Sequence, residues 1–152
     1  MPDVGDQAPD FALHSTDGEV RLSDRLRDGR VLLAFYFEDA TPTCSTEVAS
    51  LKDAHEALSD LGAQVIAVSA DGVESHRAFA EQLGGVPFPL ASDAELAAGH
   101  AYDVLSGDDP RRSRRALFVI EQDGTIAYAA NPFSPGSLSQ LEGAFRALGL
   151  EL

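Results

Sequence analysis

The chain has 152 residues, enough for one domain with one core, and its 44% hydrophobic content is that of a folded soluble protein rather than a disordered one. A formal charge of −14 repels nucleic acid and anionic membrane surfaces and argues against either as a partner. No apolar run approaches the roughly 20 residues that cross a bilayer, the opening Met1-Pro-Asp-Val-Gly-Asp lacks the basic and apolar regions of a signal peptide, and the expected compartment is the cytoplasm.

In chain order, Asp10-Phe-Ala-Leu13 and Glu19-Val-Arg-Leu22 flank Thr16-Asp17-Gly18, and Asp-Gly between alternating segments predicts an N-terminal β-hairpin. A short helical turn follows over 23–27. Residues 31–37 are all apolar, which suits a strand buried on both faces. A helix over about 43–60 carries Val48, Leu51, His55 and Leu58 at helical spacing, and 63–70 reads as a second buried strand. Strand, helix, strand makes a right-handed βαβ unit. Then come a helix over 74–83 stopped by Gly84-Gly85, an extended segment 86–90 set by Pro87 and Pro89, and a helix over 94–101. Residues 116–120 and 125–130 bracket Asp123-Gly124 as a second hairpin. The last helix has Ser137 and Gln140 as a capping box, the stripe Leu138, Leu141, Phe145 and Leu148, and Gly149 as its stop. With no repeat or linker, residues 1–152 read as a single α/β domain with a central mixed sheet flanked by helices.

Cys44 is the only cysteine, so an internal disulfide and a Cys-x-x-Cys redox pair are both excluded. It follows the buried strand and the loop 38–40. Thr41 is a good N-cap residue, and Pro42 at the first helical position gives up only an N–H that would be unpaired anyway. Thr43 is a rival cap. Either cap leaves Cys44 in the first helical turn, where free backbone N–H groups and the helix dipole favour a thiolate.

These segments resemble a peroxiredoxin on the thioredoxin-like fold, and most of all the bacterioferritin comigratory protein branch. The resemblance rests on Gly5-Asp-Gln-Ala-Pro-Asp-Phe11, on residues 31–47 against a Pro-x-x-x-Thr-x-x-Cys signature, and on Ser75-His76, Val86-Pro-Phe-Pro-Leu-Ala-Ser-Asp93 and Arg115-Ala-Leu-Phe-Val-Ile120. It implies that Cys44 is the peroxidatic nucleophile, that Thr41 holds the peroxide through its hydroxyl, that Arg115 stabilises the thiolate and that Glu47 orients the arginine. A thiolate beside a guanidinium and a helix N-terminus is charge-matched for attack on an electrophilic oxygen. The chain departs from the pattern at Phe37, where the family carries the proline that shields the thiol pocket, and at Ala49, where this branch often has a resolving cysteine. As a substrate-binding residue, Phe37 would either exclude water in the proline's place or, through its bulk, narrow the pocket or reshape the loop. With no second cysteine, the cycle runs through an outside thiol, as in one-cysteine members.

Other candidates carry less. Arg111 and Arg112 read as surface side chains that neutralise carboxylates, while Arg115 stands immediately before a buried strand, with Arg114 as its rival if the register slips. His14, His55, His76 and His100 have no ligand-like spacing; His55 belongs to a core or rim stripe and His76 to the surface. Neither a metal nor a cofactor is expected, and no nucleotide-binding glycine motif occurs.

The reading is therefore a thiol peroxidase of hydrogen peroxide or organic hydroperoxides, reduced by a thioredoxin-like protein or a small thiol and working as a monomer or homodimer. The alternative is a redox sensor or interaction module that oxidises at the same thiol without turnover. Lys52 is the only lysine against ten arginines, a surface that life in high salt or an arginine-biased coding composition would each produce.

Overall fold

The computed structural model describes residues 2–134 and 138–149. All seven strands join one mixed sheet in the order β2-β1-β5-β4-β3-β6-β7. Strands β1 (Ala12–Ser15) and β2 (Gly18–Arg21) form the N-terminal hairpin, and the turn between them uses Gly18 at φ 90°. Helix α1 (Leu22–Asp28) precedes β3 (Arg30–Phe35), α2 (Pro42–Asp60) and β4 (Ala63–Ser69). After α3 (Val73–Gln82) come β5 (Leu90–Ser92), α4 (Ala97–Ala101), the antiparallel pair β6 (Ala116–Ile120) and β7 (Ile126–Ala130), and α5 (Leu138–Ala147).

The all-apolar run of β3 is explained by its two covered faces. Leu32, Ala34 and Tyr36 point into the layer formed by α2, α3 and α5, whereas Val31, Leu33 and Phe35 point into the layer with Leu22 and Leu26 of α1, Ala98 of α4, and Tyr102. Every one of these strand residues is fully buried, and a buried Leu or Phe contributes about 1.5–3 kcal/mol relative to exposure.

Two elements are shorter than the sequence suggests, each for a local reason. In 86–90, Pro87 and Pro89 have no N–H to give, so pairing with β4 starts only at Leu90, opposite Ala67. At 94–101 the helix is delayed because Leu96 sits in the left-handed region (φ 61°), and the Asp93 carboxylate accepts the amides of Ala98 and Gly99 from outside the helix at 3.1 and 2.8 Å. Of the expected capping box, Ser137 lies outside the described residues. Gln140 accepts a hydrogen bond from Ser134 N–H and donates one to the Pro132 carbonyl. In the α5 stripe Phe145 and Leu148 are buried and Leu141 packs against the same core; the Leu138 side chain is outside the description.

The topology places one end of the sheet to receive a site. β3 and β4 run parallel with Phe35 opposite Val68, so both carboxyl ends meet there. β6 runs antiparallel to β3 with Ala116 opposite Phe35, so the residue just before β6 arrives at that same end. Crevices beyond strand carboxyl ends are where open α/β sheets bind their ligands.

Candidate active site

Helix α2 is capped by Thr41 in extended conformation (φ −76°, ψ 148°), with Pro42 as its first residue and Cys44 as its third. The thiol thus faces the amino end of a 19-residue helix. The Thr41 hydroxyl does not cap the helix amides, contrary to what its residue type suggests. It donates instead to the Glu38 carbonyl at 3.1 Å, which closes the loop 38–41 on itself. The hydroxyl oxygen keeps its lone pairs for another donor.

Cys44, Glu47, Val48, Leu51 and Leu58 lie on one face of α2 and are all buried. Cys44 has no exposed surface and belongs to the same apolar cluster as Tyr36, Val48 and Phe133. Glu47 is the exception in this stripe, a carboxyl 2% exposed with neither oxygen hydrogen-bonded. Its pKa is pushed well above the ordinary glutamate value, first by burial and then by the adjacent Cys44, while the positive charge of Arg115 acts in the opposite direction. Arg115 has a buried Nε that also lacks a partner. Cys44 and Arg115 therefore each act electrostatically on Glu47, with no hydrogen bond to either Glu47 oxygen. Arg114 is engaged elsewhere: its Nε donates to Asn131 Oδ1 at 2.7 Å and its Nη2 to the Asp103 carbonyl.

Phe37 leaves the sheet just after β3 and is half-buried against the cluster that holds Cys44. Ala49, on the next turn of α2, is also half-buried. Arg111 pairs with Asp109 on the exposed surface, as its composition suggests. Arg112 does more than screen charge. Its Nη1 donates to Asp71 Oδ1 at 3.0 Å and to the Phe37 carbonyl at 3.2 Å, and its guanidinium lies 5.7 Å from the Phe37 ring centre.

His76 is a correction to the sequence reading, for it is fully buried rather than on the surface. Its Nδ1 lies 2.8 Å from Asp39 Oδ2, and its Nε2 faces the Ala91 carbonyl at 2.9 Å. The Tyr36 hydroxyl also lies 3.1 Å from Nδ1, so the ring sits among three polar partners. Tyr36 donates its hydroxyl to Asp39 Oδ1 at 2.5 Å, and Ser75 donates to Asp39 Oδ2 at 2.8 Å. Burial, followed by the Asp39 charge, raises the Tyr36 hydroxyl well above the ordinary phenol value. The Asp39 N–H in turn donates to Asp71 Oδ2. Burial alone would raise the Asp71 carboxyl, but hydrogen bonds from Ser69, the Asp39 N–H and Arg112 hold it below the usual carboxylate value. This network ties the loop after β3 to β4, α3 and the segment before β6. A signal for it was present: His76, Phe79, Ala80 and Leu83 recur at helical spacing, which marks the inward face of α3.

Among the described residues no group of three or more His, Cys, Asp or Glu is placed to hold a metal ion, and no helix is long and apolar enough to cross a membrane.

Residues 4–129 match the AhpC/TSA family. The chain belongs to that family. It is 35% identical over 130 residues to peroxiredoxin Bcp of Bacillus subtilis, covering 82% of each chain. To the chloroplastic 2-Cys peroxiredoxin BAS1 of Hordeum vulgare it is 34% identical over 139 residues, covering 85% of this chain and 66% of that protein. The crystal structure of peroxidoxin BcpB from Mycobacterium tuberculosis superposes with a TM-score of 0.84 at 29% identity, covering 98% of this chain and 96% of that one. The fold is thus the thioredoxin-like fold of the peroxiredoxins, and this member of a thiol peroxidase family carries one cysteine.

Proposed function

We propose that the protein reduces hydrogen peroxide and organic hydroperoxides by a one-cysteine cycle at Cys44. The observation that supports this reading is the placement of its single thiol in the first turn of α2, one turn before a buried Glu47 on which the Arg115 charge acts. The Cys44 thiolate attacks the terminal peroxide oxygen, an S–O bond forms as the O–O bond breaks, and the leaving oxygen takes a proton to become an alcohol or water. Sulfur is oxidised to sulfenic acid and the peroxide is reduced. Thr41 would position the peroxide, its oxygen accepting from the substrate hydroperoxyl group.

In the second half of the cycle an outside thiol condenses with the sulfenic acid, releasing water and leaving a mixed disulfide. A second thiol then displaces Cys44. A thioredoxin-like protein or a small thiol fits this role, with the enzyme acting as a monomer or homodimer. The cytoplasm suits a lone unpaired cysteine that must be kept reduced.

Peroxide consumption measured with and without a dithiol tests the cycle. Without the dithiol about one equivalent should be consumed, and the protein should gain the mass of one or two oxygens. With it, turnover should continue. A covalent Cys44–Cys44 dimer as the main product, or no turnover with any supplied thiol, would refute it.

A further inference from the structure

Phe37 stands where the family signature has proline, and the structure gives its ring a specific setting. One guanidinium holds it twice: Arg112 donates to the Phe37 carbonyl and lies 5.7 Å from the ring centre, within cation–π range. Arg112 is itself fixed by its ion pair with the nearly buried Asp71. The Phe37 ring also lines a cavity of about 380 Å³, together with Ser106, Gly107, Asp108, Arg114 and Arg115. Among the described residues of this lining, Phe37 is the only large apolar side chain. The space is several times what hydrogen peroxide fills, since a water molecule occupies roughly 30 Å³, and it falls in the range of small-molecule sites. Arg115, whose charge acts on the Glu47 carboxyl, shares the cavity, and Phe37 packs against the cluster that holds Cys44.

We propose that Phe37 determines specificity for organic hydroperoxides, its ring supplying an apolar wall for the organic group in the cavity it shares with Arg115, and that Arg112 is the positioning residue that holds the ring there. The inference rests on the reading of Cys44 as the peroxidatic thiol. The hydroperoxyl end of the substrate points toward Arg115 and Thr41, while the organic group replaces water against Phe37. Hydrogen peroxide has no group to place there and gains nothing from the wall.

The experiment compares kcat/KM for cumene hydroperoxide with that for hydrogen peroxide, using dithiothreitol as reductant. Wild-type protein should favour cumene hydroperoxide. Phe37→Ala should lower the ratio of the two about tenfold, the scale on which apolar pockets discriminate, and Phe37→Leu should restore most of it. Arg112→Gln should raise KM for cumene hydroperoxide about threefold at nearly constant kcat, because it loosens the wall without touching the reacting atoms. A wild-type preference for hydrogen peroxide, or an equal loss for both peroxides in Phe37→Ala, overturns the proposal. If Phe37→Ala does not fold, the wild-type preference and Phe37→Gln, which keeps bulk and removes the apolar surface, decide in its place. A wild-type protein that reduces neither peroxide overturns the peroxidase reading itself.

Discussion

Asp39 and His76 face each other across 2.8 Å, with side chains 5% and 0% exposed. Removing the Asp39 carboxylate leaves Tyr36, Ser75 and His76 without their shared acceptor, and a buried polar group so orphaned costs about 1–3 kcal/mol. Asp39→Ala should therefore lower the unfolding free energy by that amount, seen as a lower urea midpoint, and slow peroxide attack, because the loop carrying Thr41 loses its anchor to α3. Equilibrium unfolding and stopped-flow oxidation of Cys44 read the two effects separately. A variant as stable as the parent would show that the network contributes nothing.

Glu47 gives a pH dependence of definite sign. Its folded-state pKa is raised, first by burial and then by Cys44, so the folded state holds a proton that the unfolded state releases above about pH 4.3. Its contribution to stability is greatest in acid and is lost as pH rises from that value toward the folded-state pKa. Glu47→Gln removes the ionisation and should stabilise the fold at pH 7–8 by about 1 kcal/mol, or roughly 2–4 °C, with the gain fading near pH 4. Melting curves of both proteins across pH test this. A gain that grows toward acid would reverse the assignment.

Thr41→Val preserves shape and removes the hydroxyl that donates to the Glu38 carbonyl. If that hydroxyl also receives the peroxide, attack by Cys44 should slow by about 10²–10³, the usual effect of losing one positioned polar group. Thr41→Ser should recover most of the rate. A native rate in the valine variant would leave Thr41 as a loop-closing residue only.

The charge of −14 predicts self-repulsion that added salt screens. The melting temperature should rise by several degrees between about 0.05 and 1 M sodium chloride, where the Debye length contracts from above 10 Å to about 3 Å. A flat or falling curve favours arginine-biased composition over adaptation to salt.

The elements that were legible in the sequence are those in which local preference and tertiary burial agree. The apolar run of β3, the Thr-Pro start of α2 and the Asp-Gly turns each state their conformation in a few residues. Arg115 was legible because it abuts β6, whose antiparallel register with β3 carries it to the site end of the sheet. Asp39 and Arg112 were not, since each is polar and local reasoning sends polar residues to water, and His76 was marked only by the helical spacing it shares with Phe79, Ala80 and Leu83. Their burial becomes favourable only when partners from the loop after β3, from α3 and from the segment before β6 converge, and that convergence is a property of the topology. The missing hydrogen bond between Glu47 and Arg115 was equally hidden, because spacing along a helix reports which face a residue takes and not the last ångström of contact.

The complete enclosure of the Cys44 sulfur sets the two halves of the cycle against each other. A peroxide is small enough to approach through a side-chain-lined cavity, whereas a reductant must bring its own sulfur into line with an atom that presents no surface at all. In the proposed cycle, reduction therefore requires the backbone around Thr41 and Cys44 to swing outward. Pro42 has no N–H to donate, and the Thr41 hydroxyl gives its hydrogen to the Glu38 carbonyl rather than accepting from a helix amide. The first turn of α2 would thus act as a timer: the longer it stays wound, the longer the oxidised sulfur would wait beside a second peroxide and the more often it would end as sulfinic acid instead of returning to the thiol.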